Sequence, residues 1–459
     1  MPSRQIDALV IFGATGDLAK LETFPALVGL AERGVLDVPV VGVANSGWGL
    51  GQFRDYAASS LKFNNIDPDS PAATRMLGLL RYVDGNLSEP ATYTAMSEAM
   101  GDSQRALYYL EVPPPLFARI AEGIAAAGRA VNSRVMVEKP FGTDLASAIA
   151  LNDTMHRYFP EESIYRVDHW LGLEPVENLL FARFANSVIE PLLTRDHVAS
   201  IQITMAEAFD VADRGSFYDR TGAIRDVLQN HMLQVLATVL AEPPDGTGLA
   251  SWRDAKSQLI GALEPLSSDT TVRGQYEGYL GVSGVAPGSS TETYCAVRLA
   301  AQSWRCGDVP ILIRAGKCLP VTATEVVFRF RRPPHDVFGL GDQTAANQLR
   351  IRIFPDDQVG ITLVGKKPGP DLAAQPRELE YSGEGAEQTI RPYDRLIGAA
   401  LTGDRNLFAR EDTVEAAWRV VQPVLGDVVP VHPYAPGSWG PGPAAALLPA
   451  GESWHNPAG

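Results

Sequence analysis

The chain has 459 residues, with 39 Lys+Arg against 54 Asp+Glu, a formal net charge of −15. That length suffices for two or three domains with real cores, and so acidic a surface repels nucleic-acid backbones and anionic lipid headgroups. Nucleic-acid and membrane-surface partners are therefore not expected. A hydrophobic content of 45% with 20% charged residues describes an ordinary folded chain. Only Cys295, Cys306 and Cys318 occur, with no CxxC pair, so neither a disulfide framework nor a zinc site is indicated, and a cytoplasmic location is expected. The apolar run at 8–12 is too short for a signal core, and no stretch reaches the roughly 20 apolar residues of a membrane span.

In chain order, the buried-strand pattern at 8–12 ends in Gly13, a helical pattern covers about 18–32, and a β-like stretch covers 38–43. Strand, helix and strand within about 40 residues make a βαβ unit with parallel strands. Segments 105–112 and 134–137 predict two more strands, and 115–128 and 144–159 two more helices, which together describe an α/β doubly wound domain. Composition then shifts. Apolar alternation at 199–205, 325–330, 349–353 and 359–364 predicts half-buried antiparallel strands, and 223–240 and 411–424 have helical spacing. The fold class expected is an α/β Rossmann-like N-terminal domain, residues 1–168, followed by an α+β domain, residues 169–459, with a large, mainly antiparallel sheet. The Pro- and Gly-rich tail from Val428 predicts ordered loop.

Gly13-Ala14-Thr15-Gly16-Asp17-Leu18-Ala19 sits between the first strand and first helix, where backbone N–H groups hold a pyrophosphate. A plain strand-to-helix turn is the alternative. At the end of the second strand stand Asn45 and Ser46, with neither the acidic residue that binds a ribose 2′-hydroxyl nor the arginine that accommodates a 2′-phosphate. Glu138-Lys139-Pro140 follows a strand at the ligand-binding edge of such a sheet, so Lys139 is either a substrate-orienting cation or a surface lysine before a turn. Two segments, Arg166-Val167-Asp168-His169-Trp170 and Arg225-Asp226 through Asn230-His231, put carboxylates near histidines. Oxidising a carbinol needs a base of near-neutral pKa as hydride departs, which a histidine supplies.

With GATGDLA, YYLEVPP, VEKPFG, RVDHWLG, ARFAN, RGSFYD, IRDVLQNH, IRAGK, KKPG and SWGP in order along the chain, the sequence resembles the glucose-6-phosphate dehydrogenase family over essentially its whole length. The resemblance implies that His231 is the base at the anomeric hydroxyl and that Asp168 orients it. It implies that Lys139, Glu207, Asp226 and Lys317 hold sugar oxygens, that Pro140 follows a cis bond, and that no metal is needed. The implied cofactor, NADP or NAD, is met by Gly13, Thr15, Gly16, Asp17, Leu18, Asn45, Ser46, Pro113 and Lys139. Asn45 stands where the family commonly has arginine, which makes NAD use an expectation, with Lys20 a candidate for reaching the ribose. A homodimer or homotetramer is expected.

The departures cluster at the far end of the sugar. Trp170 and Leu173 replace the family's tyrosine and lysine, Thr322 stands where Arg or Lys is usual, and Phe354 replaces a glutamine before proline, leaving His169 and Lys317 as the cationic candidates for a phosphate. Three readings follow: a glucose 6-phosphate dehydrogenase, a paralogue oxidising a sugar without the 6-phosphate or with a modified C6 end, and a non-catalytic regulatory paralogue. Retention of Asp168, His231 and Lys139 counts against the last.

Overall fold

The computed structural model describes residues 6–246, 250–341, 346–382 and 390–459. The chain divides into two compact units, Met1–Glu174 with Thr389–Val414, and Pro175–Gln388 with Glu415–Gly459. The linear boundary expected at 168 contains no such return of 389–414 to the first unit.

The strands in chain order are β1 Ala8–Phe12, β2 Val40–Ala44, β3 Leu80–Asp84, β4 Ala106–Leu110, β5 Arg134–Val137, β6 Ile164–Val167, β7 Val198–Ala206, β8 Thr271–Tyr276, β9 Tyr294–Leu299, β10 Ile311–Gly316, β11 Ala323–Phe330, β12 Gln348–Phe354, β13 Gln358–Lys366, β14 Ala374–Ser382, β15 Phe408–Ala409 and β16 Val431–Tyr434. The first unit's sheet runs β15-β6-β5-β4-β1-β2-β3, parallel except for β15. The order 3-2-1-4-5-6 reverses between β1 and β4, the place where open α/β sheets bind ligands. All five residues of β1, β2 and β4 are buried, each large aliphatic side chain contributing about 1.5–3 kcal/mol; helices cover both faces, so these strands read as continuous apolar runs. β3 escaped the sequence reading because its burial alternates irregularly at the sheet edge.

Segment 390–414 completes this core. Its helix Pro392–Thr402 buries Leu396, Ile397 and Ala400. Arg134 donates to the Ala400 and Leu401 carbonyls at 2.7 and 2.8 Å, satisfying acceptors that a helix C-terminus leaves open.

The second unit holds a nine-stranded sheet, β14-β13-β12-β11-β7-β10-β9-β8-β16. It is mixed: β7–β10 and β8–β16 are parallel and the other pairs antiparallel. Two expectations need correction. β7 is not half-buried, because its polar positions are covered: in the C-terminal segment Glu452 accepts from Ser200 at 2.7 Å and the backbone of Ser453 and His455 bonds Gln202, and Arg314 of the neighbouring β10 donates to Thr204. The tail from Val428 is likewise not loop alone, since it supplies β16. Segment 223–240 is helical but unevenly wound: Gly222, at φ 67°, interrupts the preceding helix, Ile224–Met232 is a π-helix, and Leu233–Leu240 returns to α.

Candidate active site

The first unit collects its candidates at the carboxyl edge of the parallel strands. Gly13 leaves β1 at φ 86°, and a Cβ there would come 2.3 Å from the Glu111 carbonyl oxygen, so only glycine fits. Gly16 N–H closes the turn on the Gly13 carbonyl at 2.9 Å, and the helical turn opens at Asp17 with Leu18 half-buried behind it. Thr15 and Ser46 hydroxyls meet at 2.8 Å, joining the exits of β1 and β2. Exposed Gly16 and Asp17 beside a helix start, on a turn that tolerates no Cβ at Gly13, fit a dinucleotide pyrophosphate. Asn45 is exposed at the exit of β2 and Pro113 at the exit of β4. The Lys20 ammonium lies 4.9 Å from the centre of the Phe63 ring.

Lys139 leaves β5 half-buried, and its bond to Pro140 is cis. Asp168 leaves β6 buried and accepts the Trp170 N–H at 3.1 Å, capping the short 3-10 turn that carries half-buried His169. Trp170 is itself buried, so the indole that replaces the family's phenol is part of the packing.

Two carboxyls that sequence reasoning passed over lie behind this edge. Glu111 accepts from Thr23 at 2.5 Å, and its Oε2 has no partner among the described residues; burial pushes its pKa well up. Glu138 accepts from the Tyr109 hydroxyl at 2.7 Å, and burial pushes it up to about 7. The signal was present, since both follow apolar strands directly, but nothing in a single sequence separates a buried strand-end glutamate from a solvated one.

The second unit builds its candidates from a parallel pair. β7 and β10 lie in register with Ala206 opposite Gly316, so the next residues, Glu207 and Lys317, leave the sheet side by side. The Lys317 ammonium donates to Glu207 at 2.7 Å and lies 4.6 Å from the Phe209 ring centre and 5.5 Å from that of Tyr218. Tyr218 has its pKa held well up by burial and then by the charges of Asp226 and Glu207, which places it among these groups. Thr322 accepts the Ala208 N–H at 2.9 Å, so this hydroxyl fastens the strand end beside Glu207.

Asp226 and His231 belong to the π-wound segment, and His231 is buried. Five residues apart, they would point about 140° from each other on an α-helix. The i→i+5 spacing of a π-helix instead sets them one turn apart on one face. Asn230 holds this winding locally, accepting the His231 N–H at 2.6 Å and donating to the Arg225 carbonyl at 3.2 Å.

Known proteins agree with these two halves. Residues 10–178 match the family profile described as glucose-6-phosphate dehydrogenase, NAD binding domain, and residues 180–455 the profile described as its C-terminal domain. Glucose-6-phosphate 1-dehydrogenase 1 of Mycobacterium tuberculosis is 44% identical over 98% of this chain and 96% of its own, and the Dictyostelium discoideum glucose-6-phosphate 1-dehydrogenase is 36% identical over 97% and 94%. The crystal structure of glucose-6-phosphate 1-dehydrogenase from Mycobacterium avium covers 99% of both chains at 44% identity with a TM-score of 0.92. A glucose-6-phosphate dehydrogenase in complex with its substrate glucose-6-phosphate covers 98% of this chain and 99% of its own at 30% identity, with a TM-score of 0.90. The chain belongs to the glucose-6-phosphate dehydrogenase family.

Proposed function

We propose that the protein oxidises the anomeric carbon of glucose 6-phosphate to the 6-phosphogluconolactone, with hydride passing to a nicotinamide cofactor. When bound, the cofactor supplies the hydride acceptor. The chain supplies the rest. His231 removes the proton of the C1 hydroxyl as the C1–H bond breaks, so that the C1–O bond becomes a carbonyl and the proton remains on the imidazole. Asp168, by the resemblance, orients that imidazole. Lys139, Glu207, Asp226 and Lys317 bind sugar oxygens, with His169 beside the phosphate end. The π-helix Ile224–Met232, which sets Asp226 and His231 on one face, is the observation that carries this reading. The test is cofactor reduction over a panel of aldoses with and without the 6-phosphate. Turnover of glucose 6-phosphate is expected, and a preference for an unphosphorylated sugar would replace the substrate assignment.

For the cofactor, Gly13, Thr15, Gly16, Asp17, Leu18, Asn45, Ser46, Pro113 and Lys139 are the contact set. Exposed Asn45 offers the 2′-phosphate of NADP no bidentate cation, so NAD is used as well as NADP; a strong NADP preference in kcat/KM would refute this.

A cytoplasmic homodimer or homotetramer completes the proposal. Its three cysteines are all free thiols, and no helix among the described residues is long and apolar enough to cross a membrane. The β13–β14 hairpin supports association, because Leu363, Leu379 and Tyr381 share one face of it, each exposed.

A further inference from the structure

The exit of β2 is where a Rossmann-type sheet distinguishes the two nicotinamide cofactors: an acidic residue there meets the ribose 2′-hydroxyl, and a cation meets a 2′-phosphate. In this chain the exit, Asn45-Ser46-Gly47, carries no charge of its own. One arrives from the neighbouring strand. Asp84, the last residue of β3, lies opposite Ala44, the last residue of β2. Its Oδ1 accepts the Ser46 N–H at 2.9 Å, the Gly47 N–H at 2.7 Å and the Tyr82 hydroxyl at 3.1 Å. Gly47 turns at φ 68°, which aims two successive N–H groups at one point and forms the kind of concave nest that binds anions. These N–H bonds hold the Asp84 carboxyl below the usual carboxylate range, so the nest contains a full negative charge throughout the neutral range. The Ser46 hydroxyl faces the pyrophosphate loop through Thr15, which puts the filled nest on the ribose side of that loop.

We infer that Asp84 is a cofactor-specificity residue: its carboxylate occupies the N–H nest at the end of β2, repels a 2′-phosphate and leaves the protein an acceptor for the ribose 2′-hydroxyl of NAD. The inference rests on the proposed cofactor edge and deepens it, because Asn45 alone explains a missing attraction whereas Asp84 adds a resident competitor. A phosphate entering here must displace a charge-assisted acceptor from two N–H groups or sit against a like charge, and either weakens binding.

The test measures binding without turnover, using adenosine 2′,5′-bisphosphate and ADP as probes in titration calorimetry. In the wild-type protein the bisphosphate should bind no better than ADP. Asp84→Ala, which empties the nest and removes the charge, should raise the bisphosphate-to-ADP affinity ratio about tenfold. Asp84→Asn keeps an acceptor for the turn but removes the charge, and should raise the ratio by a smaller factor. Asn45→Arg should raise it further when combined with Asp84→Ala than in the wild-type background. An unchanged ratio in both Asp84 variants, with ADP still bound, overturns the inference and leaves the cofactor edge standing. Equal weakening of both probes assigns Asp84 to the turn's structure alone and also overturns it. If wild-type protein bound neither probe, the cofactor edge itself would fall, and the role of Asp84 with it.

Discussion

The carboxyl edge of the first sheet and the ends of the parallel pair β7–β10 in the second solve opposite electrostatic problems. In the first unit, Glu111 and Glu138 are held by hydroxyl donors, Thr23 and Tyr109, and burial raises both acids. In the second unit, Glu207 is neutralised directly by Lys317, itself half-enclosed by the rings of Phe209 and Tyr218. Burial outweighs the hydroxyl donors and favours the neutral carboxyl at the first, whereas the second keeps its carboxylate charged against a fixed cation. The difference teaches that strand ends alone do not define a site; what balances their charges does.

The largest way to break this comparison is to remove the base. His231→Asn should lower kcat by about 10²- to 10⁴-fold while the dissociation constant for glucose 6-phosphate, measured by calorimetry, moves only a few-fold, because the imidazole acts on a proton that moves in the transition state. Retention of most of the activity would move the base elsewhere.

Next comes the charge offered to the phosphate end of the proposed substrate. Leu173→Lys with Thr322→Arg should lower KM for glucose 6-phosphate at least about tenfold more than KM for glucose, since each charge-assisted bond to a phosphate contributes about 1.5–3 kcal/mol. A low-micromolar KM in the unmodified protein would show that His169, Lys317 or another basic residue already completes that end.

The first edge is sharpened by pH. Glu138 has a folded-state pKa near 7 against an ordinary 4.5, so its neutral form is the one the fold favours. The stability it contributes is fully present below about pH 4.5 and is lost as pH rises through about 7, to a limit of about 3 kcal/mol. Glu138→Gln keeps a Tyr109 partner without the ionisation and should therefore flatten the difference in urea unfolding between pH 5 and pH 8. Parallel pH curves for the two proteins would show that Glu138 stays ionised. Tyr109, Lys139, Asp168, Tyr393 and Glu111 all act on the same carboxyl, so the comparison must be made against wild type at each pH.

The smallest effect concerns assembly. Leu379→Glu with Tyr381→Glu should shift sedimentation toward the monomer and leave the heat of unfolding per chain nearly unchanged, because both side chains are exposed within the chain. An unaltered sedimentation coefficient would remove the β13–β14 face from the interface.

By itself the sequence determined most of the first unit's parallel strands, though neither β3 nor the return of 389–414, and the chemical identities of the candidates it named. The Gly13–Gly16 turn, Lys139 and Asp168 each follow a strand within a few residues, and in a parallel sheet every strand exit lies on the same edge, so local pattern suffices to gather them. Tertiary structure decided what crosses long stretches of chain. Glu207 and Lys317 are 110 residues apart and meet because β7 and β10 pair in parallel. The alternation of β7 disclosed its polar side chains but not that the segment around Ser453 would cover them. Asp84 reaches the exit of β2 only through the register of β3. Periodicity reports which side chains share a face; it carries no information about which distant segment will lie against that face, and the charge balance of both edges is set there.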